Sequence, residues 1–108
     1  MGSTVFMIVG GAKTAEVAFT KLVKEAQHHH GHGGYTGTIA EKRSFVMIHP
    51  ISSPVNLKGT IEEKLAVAQE HARNLINKSD PRIDDKWGPA GCIQISKSKF
   101  LFFGWASE

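Results

Sequence analysis

Apolar residues follow two different spacings along the chain, and these spacings predict strands and helices respectively. Residues 4–9 are β-branched, aromatic or otherwise apolar on both faces, and two glycines follow them, which is typical of a buried strand. In residues 15–26 the apolar side chains recur every three or four positions, and Thr14 before them is suited to capping a helix. The chain is therefore predicted to open with a strand followed by a helix.

The middle of the chain contains two short extended segments and one long amphipathic segment. Residues 35–40 and 44–49 are separated by polar residues and predict a β-hairpin. Thr60 and Glu63 form a capping-box pattern, and the apolar residues that follow as far as Ile76 line one helix face. A second helix is therefore predicted after the hairpin.

The last part of the chain completes the predicted sheet. The turn-rich residues 84–89 lead into two strands, at about residues 91–96 and 100–105. The order βαββαββ predicts an α+β fold: a ferredoxin-like βαββαβ sandwich with an extra C-terminal strand, in which two helices cover one face of an antiparallel sheet. Because the chain has 108 residues, of which 41% are hydrophobic, residues 1–108 are predicted to form a single domain.

Composition narrows the class of protein only slightly. The formal net charge of +3, from 13 Lys and Arg against 10 Asp and Glu, favours anionic partners mildly and is equally typical of an ordinary surface. The single cysteine, Cys92, excludes an internal disulfide and is predicted to be a small buried residue. The apolar run at residues 5–9 is too short for a signal sequence or a membrane span, so we expect a cytoplasmic protein without a membrane partner.

Residues 27–42 concentrate four of the six histidines and four of the eleven glycines in one connector. Imidazoles bind metals, but the consecutive histidines at positions 28–30 point in different directions, and a metal site would need further ligands such as His49 or Asp85. We therefore predict neither a metal nor a cofactor. The three histidines are better suited to the end of the first helix, where positive charge complements the helix dipole.

The glycine-rich part of this connector, residues 31–38, predicts a cradle for an anion. Its backbone N–H groups, its threonine hydroxyls and His32 can surround a phosphate or carboxylate, although the segment matches no known phosphate-binding motif. Residues 84–89 add an aromatic face, a cation and two carboxylates, a composition suited to stacking on a base. An alternative, in which the tryptophan of this loop covers the core, stays open. The predicted ligand-binding residues are His32, Gly33, Gly34, Tyr35, Thr36, Thr38, Lys42, Lys86 and Trp87.

Three segments of the chain resemble a family of small uncharacterised proteins from bacteriophage and bacterial genomes. Those proteins carry segments similar to Gly-His-Gly-Gly-Tyr-Thr-Gly-Thr-Ile-Ala-Glu-Lys at residues 31–42, Asp-Asp-Lys-Trp-Gly-Pro-Ala-Gly at 84–91 and Phe-Phe-Gly-Trp-Ala at 102–106. The likeness spans most of the chain after the first strand, and the first segment is the most specific. The resemblance implies a phage or mobile-element setting, in which small proteins often bind a host factor or capture a nucleotide signal, and it carries over no catalytic role.

Taken together, these patterns favour a small binding protein that recognises a phosphate-bearing nucleotide or a similar anionic ligand. One alternative is a small hydrolase in which His32 or His49 acts as the general acid or base. A second alternative is an interaction protein whose basic surface binds a host protein or nucleic acid. The sequence leaves open whether the chain forms homo-oligomers and whether the Gly/His connector and residues 84–89 share a pocket.

Overall fold

A computed structural model describes residues 2–30, 37–48 and 60–107 of the chain. These residues form an α+β fold with two helices and one four-stranded sheet, which confirms the predicted class. In chain order the elements are β1 (Ser3–Gly11), α1 (Ala15–His30), a 3₁₀ turn (Ile39–Glu41), β2 (Phe45–Met47), α2 (Ile61–Asn77), β3 (Ala90–Ser96) and β4 (Lys99–Ser107).

The sheet has the strand order β1-β4-β3-β2 and is mixed. β4 is antiparallel to both of its neighbours, β1 and β3, whereas β2 and β3 are parallel. The prediction of a wholly antiparallel sheet is therefore wrong. The physical reason is that α2 lies between β2 and β3 in the chain, and a helix is the usual crossover between neighbouring parallel strands.

The predicted hairpin is also wrong in the part that the structure describes. Residues 37–41 form a bend and a 3₁₀ turn, and only residues 45–47 of the second arm form a strand. The Thr38 side chain accepts a hydrogen bond from the backbone N–H of Ala40, and the buried Ile39 packs in the core beside α1. Such local side-chain bonds compete with strand pairing, so the described sheet has four strands and not five.

The two helices lie on opposite faces of the sheet. β4 carries apolar side chains on both of its faces, and each face needs a helix to cover it. Phe100 and Phe102 pack in one cluster with the buried residues of α1, and Leu101 and Phe103 pack in a second cluster with those of α2. Successive residues of a strand point to opposite faces, so the two clusters occupy different sides. The prediction that both helices cover one face is wrong. The fold shares a four-stranded sheet and two helices with the ferredoxin-like plan and differs in strand order and layering.

The helix ends follow the predicted capping signals. Thr14 accepts a hydrogen bond from the backbone N–H of Val17 at the start of α1, which continues to His30. At the start of α2, Thr60 and Glu63 form the predicted capping box.

Cys92 in β3 is fully buried, as predicted, and it packs in the cluster beside α1. Burial raises the pKa of its thiol to about 12.

An ion pair stabilises the turn after α2. The Asp80 carboxylate accepts hydrogen bonds from Nε and Nη2 of Arg82 at 2.9 Å each, and from the Arg82 backbone N–H. These bonds lower the pKa of Asp80 from 3.8 to about 2. Because the unfolded chain takes up this proton at higher pH than the folded chain, the stabilisation is present above pH 3.8 and is lost as the pH falls towards 2.

We predict that Asp80→Asn lowers the free energy of unfolding at neutral pH by roughly 0.5 kcal/mol, a small value because the pair lies at the surface. The difference from the unsubstituted protein should shrink as the pH falls from 3.8 to about 2, since protonation then removes the same interaction. Urea unfolding across this pH range measures it. Glu70→Gln on the exposed face of α2 is the control, and an equal effect from both variants would contradict a specific role for Asp80.

Candidate functional site

The loop at residues 84–89 lies between the turn that follows α2 and the start of β3, and it is held in a tight turn. Oδ1 of Asp85 accepts a hydrogen bond from the Trp87 N–H, and the Asp85 carbonyl accepts one from the Gly88 N–H, both at 2.9 Å. The N–H of Ala90 then donates to the carbonyl of Ser44 at 3.0 Å, where β3 begins beside β2. The backbone of the loop is therefore fixed at both its tip and its exit.

The side chain of Lys42 donates hydrogen bonds to the backbone of this loop. Its Nζ donates hydrogen bonds to the backbone carbonyls of Asp85 and Lys86 at 3.2 Å each, and to that of Gly88 at 3.0 Å. The residue is only 2% exposed. An ammonium group has three protons, and three carbonyl oxygens receive them here. Lys42 was predicted to contact a ligand; in the structure its ammonium group positions the loop.

The charge of Lys42 is also set by this environment. Burial lowers the pKa of its ammonium group from 10.5 to about 8, and the nearby Asp85 carboxylate partly offsets that effect. At neutral pH the group still carries its proton, so all three hydrogen bonds to the loop can form. Lys42 is the last residue of the Gly/His connector. Its hydrogen bonds therefore link the end of this connector to the loop at residues 84–89, although the two segments are far apart in the sequence.

An open groove of about 410 Å³ lies beside the loop. The Trp87 side chain is 57% exposed, so it does not cover the core. Nζ of Lys86 lies 5.7 Å from the centroid of the Trp87 ring and donates a long hydrogen bond, 3.4 Å, to the Gly2 carbonyl. The groove is lined by Ser3, Asp84, Asp85, Lys86, Trp87 and Trp105.

Trp105 and Ser3 are groove residues that the sequence pattern does not reveal. Trp105 packs partly against the core cluster that includes the buried residues of α2. Its buried Nε1 has no acceptor among the residues that the structure describes. Ser3 and Trp105 come together with the loop only through the pairing of β1 with β4, which places Val5 opposite Trp105. Sequence spacing alone contains no signal for this long-range register.

Four of the predicted ligand residues lie in the described part of the chain, and they do not share one site. Lys86 and Trp87 line the groove, and Lys42 holds the loop that carries them. Thr38 caps the 3₁₀ turn, where its hydroxyl accepts a hydrogen bond from a backbone N–H. The other predicted residues fall outside the described ranges, and their roles stay predictions: His32, Gly33, Gly34, Tyr35, Thr36 and His49.

The histidines that the structure describes form no metal centre with their neighbours. The rings of His28 and His29, at the end of α1, meet edge to face with centroids 5.5 Å apart. Across residues 2–30, 37–48 and 60–107, no group of three or more His, Cys, Asp or Glu side chains is arranged to hold a metal ion. Neither described helix is long and apolar enough to cross a lipid bilayer.

Comparisons of the chain with protein families, with curated proteins and with solved structures gave no match. An indole face can stack on a planar ring, and the Lys86 ammonium group can pair with an anion. The carboxylates of Asp84 and Asp85 accept hydrogen bonds from N–H or O–H groups. This combination suits a polar ligand that has both a ring and a negative charge.

We predict that Lys42→Met destabilises the protein by about 2–3 kcal/mol, because three loop carbonyls would lose their donor. Chemical denaturation measures the loss, and hydrogen exchange should show faster exchange of the Trp87 and Gly88 amides. Lys99→Met is the control, since Lys99 is exposed at the start of β4. Equal stability of the two variants, with unchanged amide exchange in the loop, would show that Lys42 does not hold it.

Proposed function

We propose that the protein binds a phosphate-bearing nucleotide, or a similar ligand with a planar ring and an anionic group, in the groove beside residues 84–89. The observation that carries this proposal is the placement of the exposed Trp87 ring next to the Lys86 ammonium group on a loop that Lys42 holds in position. A fixed loop presents both groups without an ordering cost at the moment of binding.

The size of the groove and its aromatic wall fit the ring of such a ligand. A volume of about 410 Å³ is within the range of small-molecule sites. A base stacked on an aromatic side chain contributes about 1–3 kcal/mol, and Trp87 has the exposed ring that stacking requires. The ring of the ligand would therefore lie against Trp87.

The anionic group of the ligand would lie at Lys86. The hydrogen bond from its Nζ to the Gly2 carbonyl is long, 3.4 Å, so its exchange for a bond to a phosphate oxygen is favourable. Asp84 and Asp85 also line the groove, where their carboxylates would repel phosphate and would accept hydrogen bonds from an exocyclic amine or a ribose hydroxyl. This distribution of charge orients a nucleotide with its phosphate towards Lys86.

The edge of a nucleobase presents both donors and acceptors, which suits a groove lined by the carboxylates of Asp84 and Asp85.

The proposal concerns binding of the ligand. The alternative of a small hydrolase depends on His32 or His49 as the acid or base, and both lie outside the described ranges, so it stays a prediction. We place the function in the cytoplasm, where nucleotides are abundant. The setting is that of a phage or mobile element, as the resemblance implies, where capture of a nucleotide signal is a useful activity. Binding to a host protein or nucleic acid is the competing proposal, and steep salt dependence without stabilisation by small molecules would favour it.

The first test is a thermal-shift screen with nucleoside mono- and triphosphates, cyclic nucleotides and inorganic phosphate, since a ligand that binds only the folded state raises the melting temperature. For a nucleotide that raises it, we predict that Trp87→Ala increases the Kd by roughly 5- to 150-fold, the equivalent of about 1–3 kcal/mol of stacking. Trp87→Phe should retain most of the affinity, because it keeps an aromatic face. Isothermal titration calorimetry measures each Kd.

Two further variants separate recognition of the anion from general loss of charge. Lys86→Ala should weaken binding of the nucleotide and leave binding of the corresponding nucleoside unchanged, whereas Lys99→Ala should change neither. The proposal would be wrong if no nucleotide at millimolar concentration raised the melting temperature. It would also be wrong if Trp87→Ala bound the nucleotide as tightly as the unsubstituted protein.

A further inference from the structure

β1 is a long strand at one edge of the described sheet, and its own residues carry none of the usual protection against pairing. Among the described residues its backbone pairs with β4 alone, so within this part of the chain its other edge presents unpaired N–H and C=O groups. Its nine residues, Ser3–Gly11, extend for about 30 Å and include no charged residue and no proline. Natural proteins commonly shield such edges with charges, proline, short length or a covering segment. An uncharged edge of this length favours addition of another strand.

The side chains of β1 show where that addition would bury surface. Val5 is 41% exposed and Ile8 is 38% exposed, although both lie in an apolar strand beside the central strand β4. Their positions differ by an odd number, so they lie on opposite faces of the sheet. Apolar surface is therefore exposed above and below the same strand edge.

We propose that β1 pairs antiparallel with β1 of a second copy of this chain, about a two-fold axis at Met7. In this register Met7 lies opposite Met7 of the second copy, Phe6 opposite Ile8, and Val5 opposite Val9. Each exposed apolar side chain then gains an apolar neighbour on its own face of the sheet. The two four-stranded sheets become one continuous sheet of eight strands.

A second copy is the occupant that this edge fits best. A two-fold axis brings each residue of the strand opposite another residue of the same strand, so a charged edge would place like charges close together. Residues 3–11 have no charge and avoid that cost, and the small residues Gly10 and Gly11 would face Thr4 and Ser3. The net charge of +3 is too small to prevent association. The other edge strand, β2, has only three residues, Phe45–Met47, and offers far less pairing.

Sedimentation velocity over a concentration series tests the proposal. The unsubstituted protein should form a dimer with a Kd in the micromolar range, and Ile8→Lys should raise that Kd by at least about tenfold, because each copy would place a charge in the new sheet. The control is Val67→Lys, which adds the same charge at a residue of α2 that is 47% exposed. It should dimerise like the unsubstituted protein. A protein that stays monomeric at high micromolar concentration, or an Ile8→Lys variant that dimerises normally, would overturn the proposal.

Covalent trapping provides a second test that does not depend on the folding of Ile8→Lys. Residues opposite each other in antiparallel strands have Cα atoms about 4.5–5.5 Å apart, which is within the range of a disulfide bond. Met7→Cys should therefore form a covalent dimer on mild oxidation, whereas Val17→Cys on α1 should not. The native Cys92 is buried and does not compete. Failure of Met7→Cys to crosslink, in a variant with a native circular dichroism spectrum, would overturn the proposed register.

Discussion

Burial of β4 on both faces is the constraint on which the rest of the structure depends. Phe102 and Phe103 are adjacent in the sequence and both fully buried, and because they point to opposite sides of the sheet, each side needs its own covering layer. α1 supplies one layer and α2 the other. β4 must then occupy a central position in the sheet, which leaves the uncharged β1 at one edge and the short β2 at the other.

The sequence predicts the elements that depend on neighbouring residues and misses those that depend on distant ones. The capping box at Thr60 and the apolar face of α2 are local signals, so that helix was predicted with its observed start. The segment at Thr38 also has a local signal, a hydroxyl that caps a 3₁₀ turn, but its alternating pattern resembles a strand. The layering has a local signal in β4, because Phe-Leu-Phe-Phe is typical of a strand buried on both sides, but this signal does not indicate which helix covers which side.

The candidate site shows the same division. Lys86 and Trp87 could be selected from composition alone, since a cation beside an aromatic residue in a turn is visible in the sequence. The contribution of Trp105 depends on the register between β1 and β4, and no periodicity reveals it. Lys42 was selected for its charge, but its contacts with three carbonyls more than 40 positions away make it a positioning residue.

Burial of the Lys42 ammonium group costs desolvation free energy, and that cost supports a functional role for the loop that the group holds. Desolvation disfavours the Lys42 ammonium group, as its lowered pKa shows, and three hydrogen bonds to backbone carbonyls offset that cost. An apolar side chain, however, offers no hydrogen bond to the carbonyls of Asp85, Lys86 and Gly88, and it would not define their orientation. The ammonium group sets the geometry of the loop backbone, and that geometry determines where the Lys86 and Trp87 side chains begin. Precise placement of two exposed side chains has no evident benefit for folding, whereas it is what recognition of a ligand requires.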